Sequence, residues 1–424
     1  MRFVVATYGT EGDTRPLAVL CRALIDAGHE ATLLADRSTL GAATALGVPS
    51  VALAGDIKGV MTPSVGISNV VAGERGFSNM ANALAHIANT HAEAWLREIV
   101  TTGGGCDAVI VSGLAAFVGL SAAEALGVKA IGTGLIPITP TSEFASPFLP
   151  QGIPRFLHAA SQRLVNQMLW RAFRKQTNAA RAAVCALPPR QSLWTDHPML
   201  YGISPTLVPQ PRDWPANAHV CGQWVAPCGE WTAPAALAEF LAAGEAPIYI
   251  GFGSMAGFDQ KALLAEVVAA VGGRRALFYP GWSGADTSDT SDTSATSDRS
   301  ATSALPANFH VIGNTPHDWL FPRTSVVIHH GGSGTSHSAT RAGVPSVVVP
   351  FAGDQPFWAD RLRRAGVAAR AVPGRKLKAF ALAKQIEFAE RPATRALARE
   401  LGERMRAETG VRRAVALIHE LMRA

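Results

Sequence analysis

Two arrangements of apolar residues alternate along this chain. Short, nearly uninterrupted apolar runs are separated by longer stretches in which apolar residues recur every three or four positions. "RFVVATYG" opens the chain as a buried strand. A glycine loop follows, then "RPLAVLCRALIDAGHE", with Leu17, Leu20, Leu24 and Ile25 at helical spacing. Gly28 ends that helix and "EATLLAD" is the next strand. "GCDAVIVSG", "AAFVGLSAAEALG" and "VKAIGTGLIP" continue the strand–helix–strand rhythm. Such alternation predicts a parallel sheet covered by helices. Residues 152–186 read as helical, and the Pro- and Trp-rich "WTDHPMLYGISPTLVPQPRDWP" as irregular. The rhythm restarts with "APIYIGFGSM", a helix from about Asp259, "RRALFYPGW", "NFHVIGN", "SVVIHHGG", "TSHSATRAG" and "VPSVVVPF". The expected organisation is an α/β chain with a first domain over 1–215, a linker over 216–242 and a second domain over 243–395. Ligands are expected at the carboxyl ends of the strands.

One segment breaks the pattern. Residues 283–304, "SGADTSDTSDTSATSDRSATSA", have a period near three and too few apolar groups to offset the entropy of ordering. They read as a flexible surface insertion between two strands.

Composition adds exclusions. With 424 residues the chain is too long for one ordinary core, and 48% hydrophobic content excludes disorder. The five cysteines (Cys21, Cys106, Cys185, Cys221, Cys228) show no metal-ligand spacing, which points to scattered thiols in a reducing cytosol. No signal-peptide core and no bilayer-length apolar run occur, so a soluble, cytoplasmic protein is expected. A net charge of +6 is mild for this length and gives no reason to expect a nucleic-acid partner, but it is uneven. Between Glu143 and Asp196 there is no acid, while Arg155, Arg163, Arg171, Arg174, Lys175, Arg181 and Arg190 fall there. Within the 155–181 region, Leu157, Leu164, Met168 and Ala172 share one helical face, and Arg163, Gln167, Arg171, Arg174 and Lys175 supply a basic one. Such a helix suits either plain solvent exposure or peripheral contact with an anionic membrane at its inner face.

The densest chemistry lies in "VVIHHGGSGTSHSATRAGVPSVVVPFAGDQ", Val326–Gln355. An apolar strand runs through Gly331, Gly332, Ser333, Gly334 and Thr335 into a helix, bringing bare backbone N–H groups to a helix N-terminus. That arrangement binds anions, phosphate above all. It is neither a P-loop nor a dinucleotide fingerprint. His329 and His330 point to opposite faces of a strand, which argues against joint metal ligation. His330 is nearer the loop and is expected to face a ligand. His329 reads equally as core or as ligand-facing.

These residues resemble the donor-binding signature of family 1 nucleotide-sugar glycosyltransferases. "IGNTPHDWLFPRTSVVIHHGGSGT" with "PFAGDQPFWADRL" is most similar to the sterol glucosyltransferase branch, and "GTEGDTRP" resembles that branch's N-terminal glycine loop. The resemblance implies the GT-B fold: two Rossmann-like domains facing across a cleft, with donor on the second and acceptor on the first. It also implies a final helix over 396–424 crossing back to the first domain. His330, Gly332 and the N–H groups of Ser333, Gly334 and Thr335 would then hold a diphosphate, joined by Ser254. Asp354 and Gln355 would bond sugar hydroxyls, a carboxylate accepting and an amide donating. Asp354 reads alternatively as a helix cap ahead of Pro356. Asn314, Pro316 and His317 would seat the nucleoside base, with Asn314 where plant members stack a Trp. Trp282 reads equally as a wall of this site or as core.

Asp13, in the Gly9–Asp13 loop that includes Thr10 and Gly12, would be the base that deprotonates an acceptor hydroxyl. The alternative is that Asp13 or Thr14 caps a helix beginning near Pro16. Glu11 stands where the sterol branch has Arg, and Thr14–Arg15 replaces a Val–Gln pair. Phe144 and Phe148, in the Pro137–Pro150 loop, would suit a lipophilic acceptor or form ordinary surface. The implied reaction is inverting transfer of a hexose, with UDP-glucose as co-substrate, no cofactor and no metal. A dTDP-deoxysugar donor, a nucleotide-sugar epimerase and a non-catalytic binding protein are the alternatives.

Overall fold

The structure is a computed structural model that describes residues 1–61, 76–226, 229, 231–253, 260–281 and 305–423. Two compact units emerge. One comprises Met1–Val60, Ser78–Ala226 and Glu408–Ala424; the other is built on Pro227–Ala407.

The first unit holds a seven-stranded parallel sheet of β1 (Arg2–Ala6), β2 (Glu30–Asp36), β3 (Ser50–Leu53), β4 (Ala108–Val111), β5 (Lys129–Gly134), β6 (Met199–Tyr201) and β7 (Ala218–Val220). Their spatial order is β3-β2-β1-β4-β5-β6-β7. Phe3 pairs with Ala31 on one side and Ala108 on the other. The second sheet contains β8 (Ile248–Gly251), β9 (Ala276–Tyr279), β10 (Phe309–Val311), β11 (Val326–His329) and β12 (Ser346–Val348), in the order β10-β9-β8-β11-β12 and also parallel.

Burial on both faces explains the uninterrupted apolar runs. Ile248, Ile250, Val326 and Ile328 enter one core cluster, while their strand neighbours Tyr249 and Val327 enter another. Strand order reverses between β1 and β4 in one sheet and between β8 and β11 in the other. Loops at the carboxyl ends of those strands diverge there and leave room for a ligand. The loop through Gly9 and Thr10 follows β1 and leads into the helix that carries Asp13, and the loop His330–Gly332 follows β11 and leads into the helix that starts at Ser333.

The structure draws the boundaries differently from the hydrophobic pattern. The expected linker over 216–242 is divided: β7 completes the first sheet, and helix Ala235–Ala242 buries Leu237 in the second unit. A three-residue strand, "AHV", is too short to show a period. The expected helix over 396–424 is two helices. Pro392–Ala407 stays with the second unit, and Gly410–Arg423 packs on the first helix, Glu11–Asp26. Glu408 marks the return, its Oε1 accepting from Ser204 Oγ (2.6 Å) and Thr206 Oγ1 (2.7 Å). The first helix begins at Glu11 rather than near Pro16, which lies inside it. The helical reading of 152–186 corresponds to His158–Cys185, entered through a 3-10 turn at Arg155–Leu157. The 283–304 insertion lies outside the described residues.

Gly410 lies against Gly222, itself at φ +108°, and a Cβ on Gly410 would overlap the Gln223 carbonyl. Gly410→Ala is expected to lower the thermal unfolding midpoint by several degrees. Gly41→Ala, where a Cβ meets nothing within 4 Å, leaves it unchanged or slightly raised. Calorimetric melts of both variants check this.

Candidate functional site

In the first unit, β1 delivers Thr7 and Tyr8, both fully buried, to the switch point. The Tyr8 hydroxyl donates to Asp36 Oδ2 (2.6 Å), and its ring stacks on Trp95 at 4.2 Å. Asp36 also accepts from the Ile57 N–H (3.0 Å), and the Trp95 indole donates to the Ala54 carbonyl (2.7 Å). This network fixes the floor beneath the glycine loop, and nothing in the sequence had singled it out.

Asp13 is the third residue of the first helix. Its Oδ2 accepts from the Thr10 N–H (2.8 Å) and the Thr10 hydroxyl (3.2 Å); among the described residues its Oδ1 accepts nothing. A Cβ on Gly9 would overlap this carboxylate, so the residue must be glycine for the carboxylate to fold back. Burial pushes the Asp13 pKa up, and the two Thr10 bonds oppose that in part. A capping geometry and a base with a raised pKa therefore coexist in one side chain. Gly12 is exposed.

Of the acceptor-loop phenylalanines, Phe144 is buried and its carbonyl accepts from Gln162 Nε2 (3.0 Å), whereas Phe148 is half-buried. Phe144 is thus packed inside the fold rather than open to a ligand, because Gln162 and Ser161 of the following helix bind this loop's backbone.

In the second unit, His329 is fully buried and its Nδ1 accepts from the Gly331 N–H (3.1 Å). Desolvation holds it neutral, with its pKa well below the usual imidazole value. It is the core histidine of the pair. The His330 ring lies in space that side chains at Gly253 and Gly332 would occupy. Burial lowers its pKa to about 4, so it is neutral at pH 7, and its Nδ1 has no partner among the described residues. Helix Ser333–Arg341 starts from Gly332, which offers no side-chain cap. The first intrahelical bond runs from the Ser336 N–H to the Gly332 carbonyl (3.0 Å). The N–H groups of Gly334 and Thr335 precede it at the first turn, where an α-helix offers no acceptor from a preceding turn. Gly334 is open, with nothing near a Cβ. Uncapped N–H groups beside a neutral imidazole suit an anion.

Asp354 stands at the N-cap of helix Gln355–Arg364 but makes no side-chain cap bond. Its Oδ2 accepts instead from the Trp358 indole (2.6 Å). Gln355 is buried, and its Oε1 accepts from the N–H groups of Phe351 (2.7 Å) and Ala352 (3.1 Å). The amide oxygen is committed to the loop, which sets the orientation of the amide. Asn314 and His317 line a shallow, solvent-open recess together with Tyr249, Tyr279, Ile312, Gly313 and Thr315. His317 stacks on Phe321 at 4.2 Å, and Pro316 precedes its helix. Tyr249 and Tyr279 were missed; tyrosine within otherwise aliphatic strands was the available signal. Ser254 and Trp282 lie outside the described residues. Among the described residues no group of three or more His, Cys, Asp or Glu is placed to hold a metal ion, and no helix is long and apolar enough to cross a membrane.

A family model described as "Erythromycin biosynthesis protein CIII-like, C-terminal domain" matches residues 292–421. O-mycaminosyltylonolide 6-deoxyallosyltransferase of Streptomyces fradiae is 33% identical over 438 residues, covering 99% of this chain and 97% of that protein. Sterol 3-beta-glucosyltransferase UGT80B1 of Arabidopsis thaliana is 29% identical over 434 residues, covering 99% and 68% respectively. The crystal structure of glycosyltransferase VinC in complex with dTDP superposes with a TM-score of 0.66 at 17% identity, covering all of both chains.

Because burial raises the folded-state pKa of Asp13, the folded protein holds that proton more tightly than the unfolded chain. Stability from this group is present below the unfolded carboxylate pKa and is lost as pH rises through the raised value. An amide keeps the Thr10 contact without a charge to bury. Asp13→Asn is therefore expected to raise the unfolding midpoint at pH 7.5, with the gap closing toward pH 4. A lower midpoint at pH 7.5 would contradict the burial account.

Proposed function

The chain belongs to the GT-B glycosyltransferases related to erythromycin biosynthesis protein CIII and the sterol glucosyltransferases, and we propose that it transfers a hexose, with inversion, from a nucleoside diphosphate to a hydroxyl of a lipophilic acceptor. Membership sets the epimerase and non-catalytic alternatives aside. The observation that carries the reading is the uncapped start of helix Ser333–Arg341 beside His330, at the switch point of the second sheet. Those N–H groups and the imidazole hold the diphosphate and stabilise its charge as the bond from the anomeric carbon to phosphate oxygen breaks. The recess of Tyr249, Tyr279, Asn314 and His317 takes the base. Asp354 accepts from a sugar hydroxyl and the Gln355 amide donates to one.

Asp13 takes the proton of the acceptor hydroxyl as its oxygen bonds to the anomeric carbon. Its raised pKa makes it a stronger base than an exposed carboxylate, and the Thr10 bonds aim it. Attack from the face opposite the diphosphate inverts that carbon. The proposed reaction uses no metal and no cofactor beyond the nucleotide sugar. A cytoplasmic location is proposed with this reaction.

UDP-glucose is the proposed donor and a sterol- or macrolide-like alcohol the acceptor. A dTDP-deoxysugar is the second reading, favoured by the 33% identity to a 6-deoxyallosyltransferase. Thermal-shift titrations with UDP, UDP-glucose, dTDP and dTDP-rhamnose separate the two. A ligand bound only by the native state raises the midpoint according to its affinity. Stabilisation by the uridine ligands alone supports the first reading, by the thymidine ligands alone the second, and by none of the four refutes both.

Two variants test the roles. Asp13→Asn is expected to abolish transfer while leaving donor affinity nearly intact; loss of donor affinity instead would place the residue on the donor. His330→Ala is expected to weaken nucleotide binding by about tenfold, the worth of one hydrogen bond to a charged group. Unchanged affinity would remove it from the phosphate site.

A further inference from the structure

Eight large hydrophobic side chains are exposed among the described residues, and five of them fall between residues 156 and 169. Phe156 is 82% exposed, Leu164 57% and Met168 58%, with Leu157 and Leu169 also outward. Phe156, Leu164 and Met168 leave more than half of their surface uncovered by the fold. The inner face of helix His158–Cys185 is already satisfied: Trp170 packs on Phe117 and Trp194, and Arg181 forms a bidentate pair with Glu124 (2.8 and 2.9 Å). These contacts hold the helix by one face, and Leu164 and Met168 on the other are turned to solvent.

Around that face stand Arg155, Arg163, Arg171, Arg174 and Lys175, all exposed and, among the described residues, none ion-paired. No acid occurs in the chain from Phe144 to Thr195. Leu164 and Met168 lie one turn apart on the helix and Leu157 lies in the 3-10 turn that leads into it; Arg163 and Arg174 flank this line, and Arg171 and Lys175 continue it. A protein partner would ordinarily be met by charges of both signs. A rim of one sign around an apolar centre complements a surface that is anionic everywhere and apolar just beneath, where long basic side chains reach headgroups and Leu, Met and Phe enter the acyl boundary.

We propose that the exposed face of residues 155–175 docks peripherally on an anionic lipid bilayer. It goes beyond the transfer reaction, and it puts the enzyme where a lipophilic acceptor is dissolved. Vesicle binding and nucleotide binding are read separately, so either claim can fail while the other stands.

The test is flotation of the full-length protein with vesicles of phosphatidylcholine alone and of phosphatidylcholine with phosphatidylglycerol, at low and high salt. Binding is expected only to the mixed vesicles, weakening with salt. Arg163→Gln with Arg171→Gln is expected to weaken it roughly fivefold per cation removed. Leu164→Ser with Met168→Ser is expected to abolish it. The nucleotide-induced thermal shift, measured on the same samples, should match the parent protein in both double variants, which shows that they fold. Absence of binding to anionic vesicles, or binding that neither double variant weakens, overturns the proposal. So does a self-association, seen by sedimentation and lost in the variants, without vesicle binding.

Discussion

The start of helix Ser333–Arg341 imposes the constraint on which the second unit is built. Its first backbone N–H groups have no intrahelical acceptor, and glycine at the cap supplies no side chain to take one. Such an end is complementary to a diphosphate. The glycines at 253, 331 and 332 follow from this. Two of them leave the space the His330 ring fills, and Gly331, at φ +91°, turns the chain out of β11 where a Cβ would strike Val348. Burial keeps His330 neutral, so the helix end and not a fixed cation supplies most of the positive potential.

The first unit answers with the opposite device. A carboxylate is drawn into a recess where its charge is costly, and among the described residues Thr10 alone compensates it. That local conflict between stability and charge is what a site for proton abstraction requires. Tyr8, Asp36 and Trp95 brace the loop from below. Both devices sit where strand order reverses, so topology positions each without long excursions of the chain.

Much of this was legible. The period-breaking glycines after two apolar strands announced both loops, and strands buried on both faces read as continuous apolar runs. What escaped had physical reasons. β7 is three residues long and showed no period. The break between the last two helices depends on Gly410 meeting Gly222, a contact between residues far apart in the chain. The first helix starts five residues ahead of Pro16, where Asp13 accepts from the Thr10 N–H and caps the end. Phe144 reads as a surface aromatic until Gln162 and Ser161 are seen to tie its loop down. Gln355 was singled out as an amide, but the binding of its oxygen by the Phe351 and Ala352 N–H groups is a tertiary fact.

The central claim is that the uncapped helix end and His330 together recognise phosphate. Calorimetric titration with a nucleoside diphosphate and with its parent nucleoside tests it most directly. The account predicts that the diphosphate binds tighter by on the order of a hundredfold or more, from at least two hydrogen bonds to a charged group. A nucleoside that binds as tightly as its diphosphate would contradict it.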